Sequence, residues 1–124
     1  MNKILVLGGG SWGTTLGNLL AEKEHDVTLW ARNSKIFKKV KNYWTNNQYL
    51  PKYKISKNLK IVSDLKDAFL DVDLVIVAIP SKGFRSISSK ISKYLDNQKI
   101  LIASKGIENE SFMTMSEVFI DETN

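Results

Sequence analysis

The stretch Lys3-Ile4-Leu5-Val6-Leu7-Gly8-Gly9-Gly10-Ser11-Trp12-Gly13 decides how the chain folds. The run Lys3 to Leu7, apolar from Ile4 onward, stops at glycine and reads as a strand buried on both faces. A helix follows from Ser11 to Glu24, with Trp12, Leu16, Leu19 and Leu20 at helical spacing. Between strand and helix the glycines fit G-x-G-x-x-G. In that context Gly8 serves the tight turn, Gly10 lets an anion approach the backbone, and Gly13 lets the helix lie close to the strand. The helix N-terminus then faces a phosphate with free N–H groups and the positive end of its dipole.

The same alternation continues outward. Asp26 to Arg32 is a second strand, and Asn33 or Ser34 caps a short helix carrying Ile36, Phe37 and Val40. Asn46 to Lys57 contains Pro51 and little periodicity, so it reads as a loop. Leu59 to Val62 is a third strand, and Asp64 caps a helix from Leu65 to Leu70. Asp73 to Ile79 is a strand ended by Pro80. Ser81 to Leu95 is a helix with Ile87, Ile91 and Leu95 inward, and Lys99 to Ala103 is a fifth strand. Ser111 to Ile120 is a helix or an irregular edge. Such strand–helix alternation implies an α/β fold: a Rossmann-type doubly wound parallel sheet, three layers in a single domain.

Composition narrows the function. With 124 residues, 43% hydrophobic and 25% charged, the chain suits one globular domain. No apolar run approaches the roughly 20 residues of a membrane span, and no secretory h-region precedes the glycines. There is no cysteine and one histidine, so thiol chemistry and a zinc site are not expected, and His25 reads as a surface residue. The net charge of +5 has a local origin. Eight lysines and no acidic residue lie between Asn33 and Ser63, with Tyr43, Trp44, Tyr49 and Tyr53 among them. Lysines interleaved with aromatics fit a solvated surface, a site for a phosphorylated small molecule, or nucleic-acid binding.

In a doubly wound sheet the ligand crevice lies at the carboxyl ends of the strands. Those ends carry Gly8, Arg32, Pro80 and Ser104-Lys105. Ser11 and Trp12 sit on the anion-facing turn, although Trp12 also fits a core position. The second strand ends in Arg32-Asn33, with no carboxylate to hold a ribose 2′-OH. An arginine there pairs with a 2′-phosphate, which favours NADP(H) slightly or allows both cofactors. Pro80 borders the nicotinamide end of the crevice, or simply ends its strand. Lys105 offers a point charge to a substrate oxyanion or phosphate, or is a surface lysine.

Five motifs occur together along nearly the whole chain. They are Gly8-Gly9-Gly10-Ser11-Trp12-Gly13-Thr14, Leu29-Trp30-Ala31-Arg32-Asn33, Asn47-Gln48-Tyr49-Leu50-Pro51, Ala78-Ile79-Pro80-Ser81 and Ser104-Lys105-Gly106-Ile107-Glu108. As a set they resemble the N-terminal domain of the bacterial-type NAD(P)-dependent glycerol-3-phosphate dehydrogenases. The resemblance implies NADP or NAD as cofactor, with contacts on Ser11, Trp12, Arg32, Asn33, Tyr49 and Lys105, and with Lys105 also touching substrate. It implies hydride transfer between NAD(P)H and dihydroxyacetone phosphate, giving sn-glycerol 3-phosphate for phospholipid synthesis in the cytoplasm. It speaks against nucleic acid or membrane insertion, and allows a homodimer for the full-length protein. Members carry a further all-helical domain that supplies the acid/base lysine. Residues 1–124 therefore match the cofactor-binding domain, and no catalytic residue is expected among them. Other readings are a non-enzymatic nucleotide- or nucleic-acid-binding module, or another reductase of the same superfamily.

Overall fold

The computed structural model describes residues 2–33, 35, 37–40, 43–46 and 48–124. Among the described residues, eight strands and four α-helices follow in the order β1 (Lys3–Leu7), α1 (Ser11–Glu22), β2 (Asp26–Trp30), β3 (Phe37–Val40), β4 (Tyr43–Asn46), β5 (Leu50–Ser56), β6 (Lys60–Val62), α2 (Leu65–Ala68), β7 (Leu74–Val77), α3 (Ser81–Ile91), β8 (Lys99–Ile102) and α4 (Met115–Thr123). A 3-10 turn, Ser92–Tyr94, extends α3. Five strands form a parallel sheet in the order β6-β2-β1-β7-β8. The chain therefore runs outward from β1 in one direction, returns, and runs outward in the other. That is the expected doubly wound arrangement, with its switch point between β1 and β7.

Each central strand is apolar on both sides because both sides are covered. Leu5, Leu7, Val75 and Val77 pack with Phe84, Ile87 and Ile91 of α3 and Val118 of α4. Ile4, Val6, Val27, Leu29 and Ile76 pack on the opposite face with Ala21 of α1. On α3, Ile87 and Ile91 are buried as the spacing predicts. On α1 the buried face is Gly13, Thr14, Gly17, Asn18 and Ala21. Leu16 and Leu20 are partly buried, whereas Trp12 and Leu19 are about half exposed. The helix lies too close to the sheet for large side chains: a Cβ on Gly13 would sit 1.9 Å from the Gly8 carbonyl oxygen.

Two sequence expectations are corrected between β2 and β6. Residues 37–40 form a strand rather than a helix, and β5 occupies most of the expected loop. With β4 they make an antiparallel sheet, β3-β4-β5, which places Phe37 and Ile55 in the core on the α1 side. Asn33 accepts a hydrogen bond from the Lys35 N–H (3.0 Å), an Asx turn. Ser34, Ile36 and Asn47 lie outside the described residues. Asp64 does cap α2, accepting from the Asp67 N–H at 3.1 Å. The tail resolves into α4, started by a capping box of Thr114 and Glu117. Donation from the Thr114 backbone and then its side chain holds the Glu117 carboxyl below its ordinary range. His25 is exposed, as expected. Among the described residues no helix is long and apolar enough to cross a membrane.

Candidate functional site

Register brings the motif residues together. Leu7 pairs with Trp30 on one side and with Val77 on the other, and Val77 pairs with Ile102. The four strands end level, so their outgoing loops share one edge of the sheet. Bonds from Gly8 N to Trp30 O, Ala78 N to Leu7 O and Ala103 N to Val77 O carry the ladder into those loops at 2.8–3.0 Å.

The three motif glycines divide by role. Gly8 adopts φ +124°, and a Cβ there would lie 2.3 Å from the Ala78 carbonyl oxygen. Gly13 is where α1 touches the Gly8 backbone. Gly10 is different: its Cβ position meets nothing within 4 Å. It precedes the first turn of α1, which has no side-chain cap and no acidic residue. The N–H groups and the dipole of that turn are thus left for an external anion. Open space where a Cβ would stand, above uncapped amides, fits a dinucleotide diphosphate.

Two cavities flank Gly10 and form one groove. The first, 700 Å³, is bordered by Arg32, Asn33, Gln48, Lys82 and Ser86. The second, 610 Å³, is bordered by Ser11, Trp12, Ala103, Ser104 and Lys105. Gly10, Tyr49, Ile79 and Pro80 line both. Every expected site residue therefore borders the groove. Trp12 is not a core residue: it is 55% exposed, and its Nε1 donates to the Ala103 carbonyl at 3.1 Å. Tyr49 is 49% exposed and stands between the two cavities. Gly106, at φ +132°, turns the chain against Ser81, and this sets Lys105 at the rim. Among the described residues no acidic side chain lines either cavity, whereas Arg32, Lys82 and Lys105 do.

Sequence reasoning missed three residues here. Lys82 could have been found, since it lies in the first turn of α3 at the same carboxyl edge. Asn18 and Asn46 are fully buried polar residues with no sequence signal, and Thr14, which ends the glycine motif, is buried with them. Asn18 accepts from the Ser56 N–H (2.7 Å), and its Nδ2 reaches the Tyr53 hydroxyl (3.2 Å), joining α1 to β5. Asn46 joins β4 to the glycine loop, through Gly9 and Thr14.

A third cavity, 780 Å³, lies beside the groove between α3 and the segment after β8, and its charges are mixed. There Arg85 binds Glu108 twice, at 2.7 and 2.8 Å, and also binds Asp121 (2.7 Å) and Glu122 (2.6 Å). These bonds hold the Arg85 guanidinium above its ordinary value. The Arg85 hydrogen bonds, then one from Ser111, hold Glu108 down to about 2.

The chain is similar to known proteins along nearly its whole length. The family model described as NAD-dependent glycerol-3-phosphate dehydrogenase N-terminus matches residues 3–124. Glycerol-3-phosphate dehydrogenase [NAD(P)+] of Carboxydothermus hydrogenoformans is 42% identical over 120 residues, covering 96% of this chain and 36% of that protein. The crystal structure of glycerol-3-phosphate dehydrogenase from Coxiella burnetii superposes with a TM-score of 0.84 at 31% identity, over 98% of this chain and 38% of that one. The Saccharomyces cerevisiae enzyme gives 0.77 at 25% identity, over 98% and 39%. The chain thus spans little more than a third of the relatives it matches. On the strength of a match over almost every residue, the chain belongs to the NAD-dependent glycerol-3-phosphate dehydrogenase N-terminus family.

Proposed function

We propose that this chain binds NAD(H) or NADP(H) along the carboxyl edge of its parallel sheet. In this reading it is the cofactor-binding part of an enzyme that interconverts dihydroxyacetone phosphate and sn-glycerol 3-phosphate. The observation that carries the reading is the uncapped N-terminus of α1 at Gly10, open to a groove with no acidic residue among the described ones that line it. The nicotinamide would donate or accept the hydride.

The chain's own residues bind and orient. Backbone N–H groups of Gly10, Ser11 and Trp12 hold the diphosphate. Arg32 and Asn33 take the adenosine end, where the Arg32 guanidinium pairs with a 2′-phosphate and tilts preference toward NADP(H). Tyr49 and Pro80 cover the middle of the groove, and Gly8 and Gly13 keep its floor close. Lys105 holds the cofactor and a phosphate or oxyanion of the substrate as a point charge. Because the chain spans about a third of its relatives, the acid/base group and most of the substrate pocket are assigned to the remainder of such an enzyme. Residues 1–124 alone then bind nucleotide without turnover. The reading carries with it a cytoplasmic setting, a contribution to glycerophospholipid synthesis, and small-molecule rather than nucleic-acid partners.

A fluorescence titration with NADPH and then NADH tests it, following Trp12 at the loop and Trp30 at the first cavity. Saturable quenching by either nucleotide supports the reading. No response to either from folded protein removes it. Oligonucleotide binding that weakens steeply with salt would point to the lysine-rich stretch instead.

A further inference from the structure

Asn46 is fully buried although it is a polar residue at the end of its strand, β4. Pairing between β4 and β5 slips at this point, from Thr45 opposite Lys54 to Asn46 opposite Leu50. Irregular pairing of this kind re-aims a side chain, and here two successive residues, Thr45 and Asn46, are both buried. The Asn46 amide is fully used. Its Nδ2 donates to the Gly9 carbonyl (2.9 Å) and to Thr14 Oγ1 (3.2 Å), and its Oδ1 accepts from the Tyr49 N–H (3.2 Å). Thr14 Oγ1 also donates to the Gly9 carbonyl, at 3.2 Å.

The consequence follows from peptide planarity. In a trans peptide the C=O and the next N–H point in opposite directions. With the Gly9 carbonyl bonded inward to Asn46 and Thr14, the Gly10 N–H is directed outward, to the side where both cavities of the groove meet. The Gly10 N–H donates to no protein acceptor among the described residues. A peptide flanked by two glycines has little steric resistance to flipping. A flip would put a carbonyl oxygen where an anion is to bind.

We propose that Asn46 is a positioning residue that locks the Gly9–Gly10 peptide with its N–H facing the groove, and through the same amide holds the turn carrying Tyr49. The ligand class is a dinucleotide diphosphate, so the inference rests on the cofactor reading above. One side chain then sets both the anion cradle and the residue standing over it.

ADP-ribose, which carries the diphosphate and is stable to mild acid, is the probe. Isothermal titration would compare wild type, Asn46→Leu and Asn46→Asp at pH 8 and pH 5. An aspartate keeps the acceptor for Tyr49 but, when ionised, presents negative charge to the Gly9 carbonyl. Its burial raises the pH at which it becomes protonated, and the neutral acid can donate again. Asn46→Asp is expected to bind at least about tenfold more weakly than wild type at pH 8 and to recover at pH 5, while Asn46→Leu stays weak at both. A loss that persists in Asn46→Asp at pH 5 overturns the lock, because the donor would then be restored without the affinity. Equal affinity of wild type and both variants overturns the lock and leaves the cofactor reading intact. No ADP-ribose binding by folded wild type overturns both. Without ligand, the Gly10 amide resonance is expected to move in Asn46→Leu. An unmoved resonance, in a spectrum that is otherwise native, overturns the lock by itself.

Discussion

Arg85 grips Glu108 through two parallel hydrogen bonds, Nε to Oε2 at 2.7 Å and Nη2 to Oε1 at 2.8 Å, across 23 residues of sequence. The same guanidinium reaches Asp121 and Glu122 at the end of α4. One cation on α3 thus ties down both the segment after β8 and the last helix. Removing it leaves three carboxylates facing one another. Arg85→Leu is expected to raise hydrogen exchange over residues 107–124 while β1, β2 and β7 stay protected. Equal loss of protection throughout would show that α4 is not separately anchored.

The Glu108 carboxyl titrates from an ordinary 4.5 down to about 2 in the fold. A depressed folded value means stability that is complete above pH 4.5 and is lost as the pH falls toward 2. Acid melting is expected to steepen across that window in wild type. In Glu108→Gln the curve should be flatter there, and thermal melts at pH 5, 4, 3 and 2 would compare the two.

Gly10 and Gly13 should respond oppositely to the same methyl group. Gly13→Ala pushes a Cβ into the Gly8 backbone, which no rotamer change relieves, so a loss of about 3 kcal/mol or more is expected in denaturant melts. Gly10→Ala meets open space and should fold with nearly unchanged stability. Its nucleotide affinity should nevertheless fall at least about tenfold, because the methyl stands where the diphosphate approaches. Full nucleotide affinity in Gly10→Ala would move the ligand away from this turn.

Arg32 is exposed at the mouth of the first cavity and makes no ion pair among the described residues, so its substitution should not disturb folding. Arg32→Ala is expected to weaken NADPH by about 1.5–3 kcal/mol, the size of a lost charged hydrogen bond, and NADH by much less. Equal weakening of the two, measured by titration, would remove the 2′-phosphate from this position.

The parallel sheet was legible because its strands are apolar without alternation and its glycine loop sits between a strand and a helix. What misled the reading lies between Asn33 and Leu59. Phe37 and Val40 are three apart, which fits a helix turn, yet this short segment pairs with β4, and Phe37 closes the core above α1. Pro51 suggested a loop. It is tolerated in β5 because that strand is an edge of its sheet, where a missing N–H costs little. Arg32, Pro80 and Lys105 were legible because strand ends in a parallel sheet converge. Asn46 was not, since its role depends on a slipped register that leaves no periodic trace.

The groove's charge also bears on how fast a ligand arrives, not only on how tightly it stays. Arg32, Lys82 and Lys105 border the two cavities with no carboxylate among the described lining residues, while the acidic side chains nearby are gathered around Arg85 in the neighbouring cavity. A one-signed cleft draws anions from a distance beyond contact, and mobile ions damp that pull within roughly 10 Å at 0.1 M salt. Stopped-flow association rates for NADPH are expected to fall severalfold between 20 and 200 mM salt, about these orders of concentration, with dissociation nearly constant. Reversing Lys82 and Lys105 to glutamate should flatten or invert that dependence. By this arrangement the sheet edge is expected to gather charged nucleotides before any specific hydrogen bond has formed.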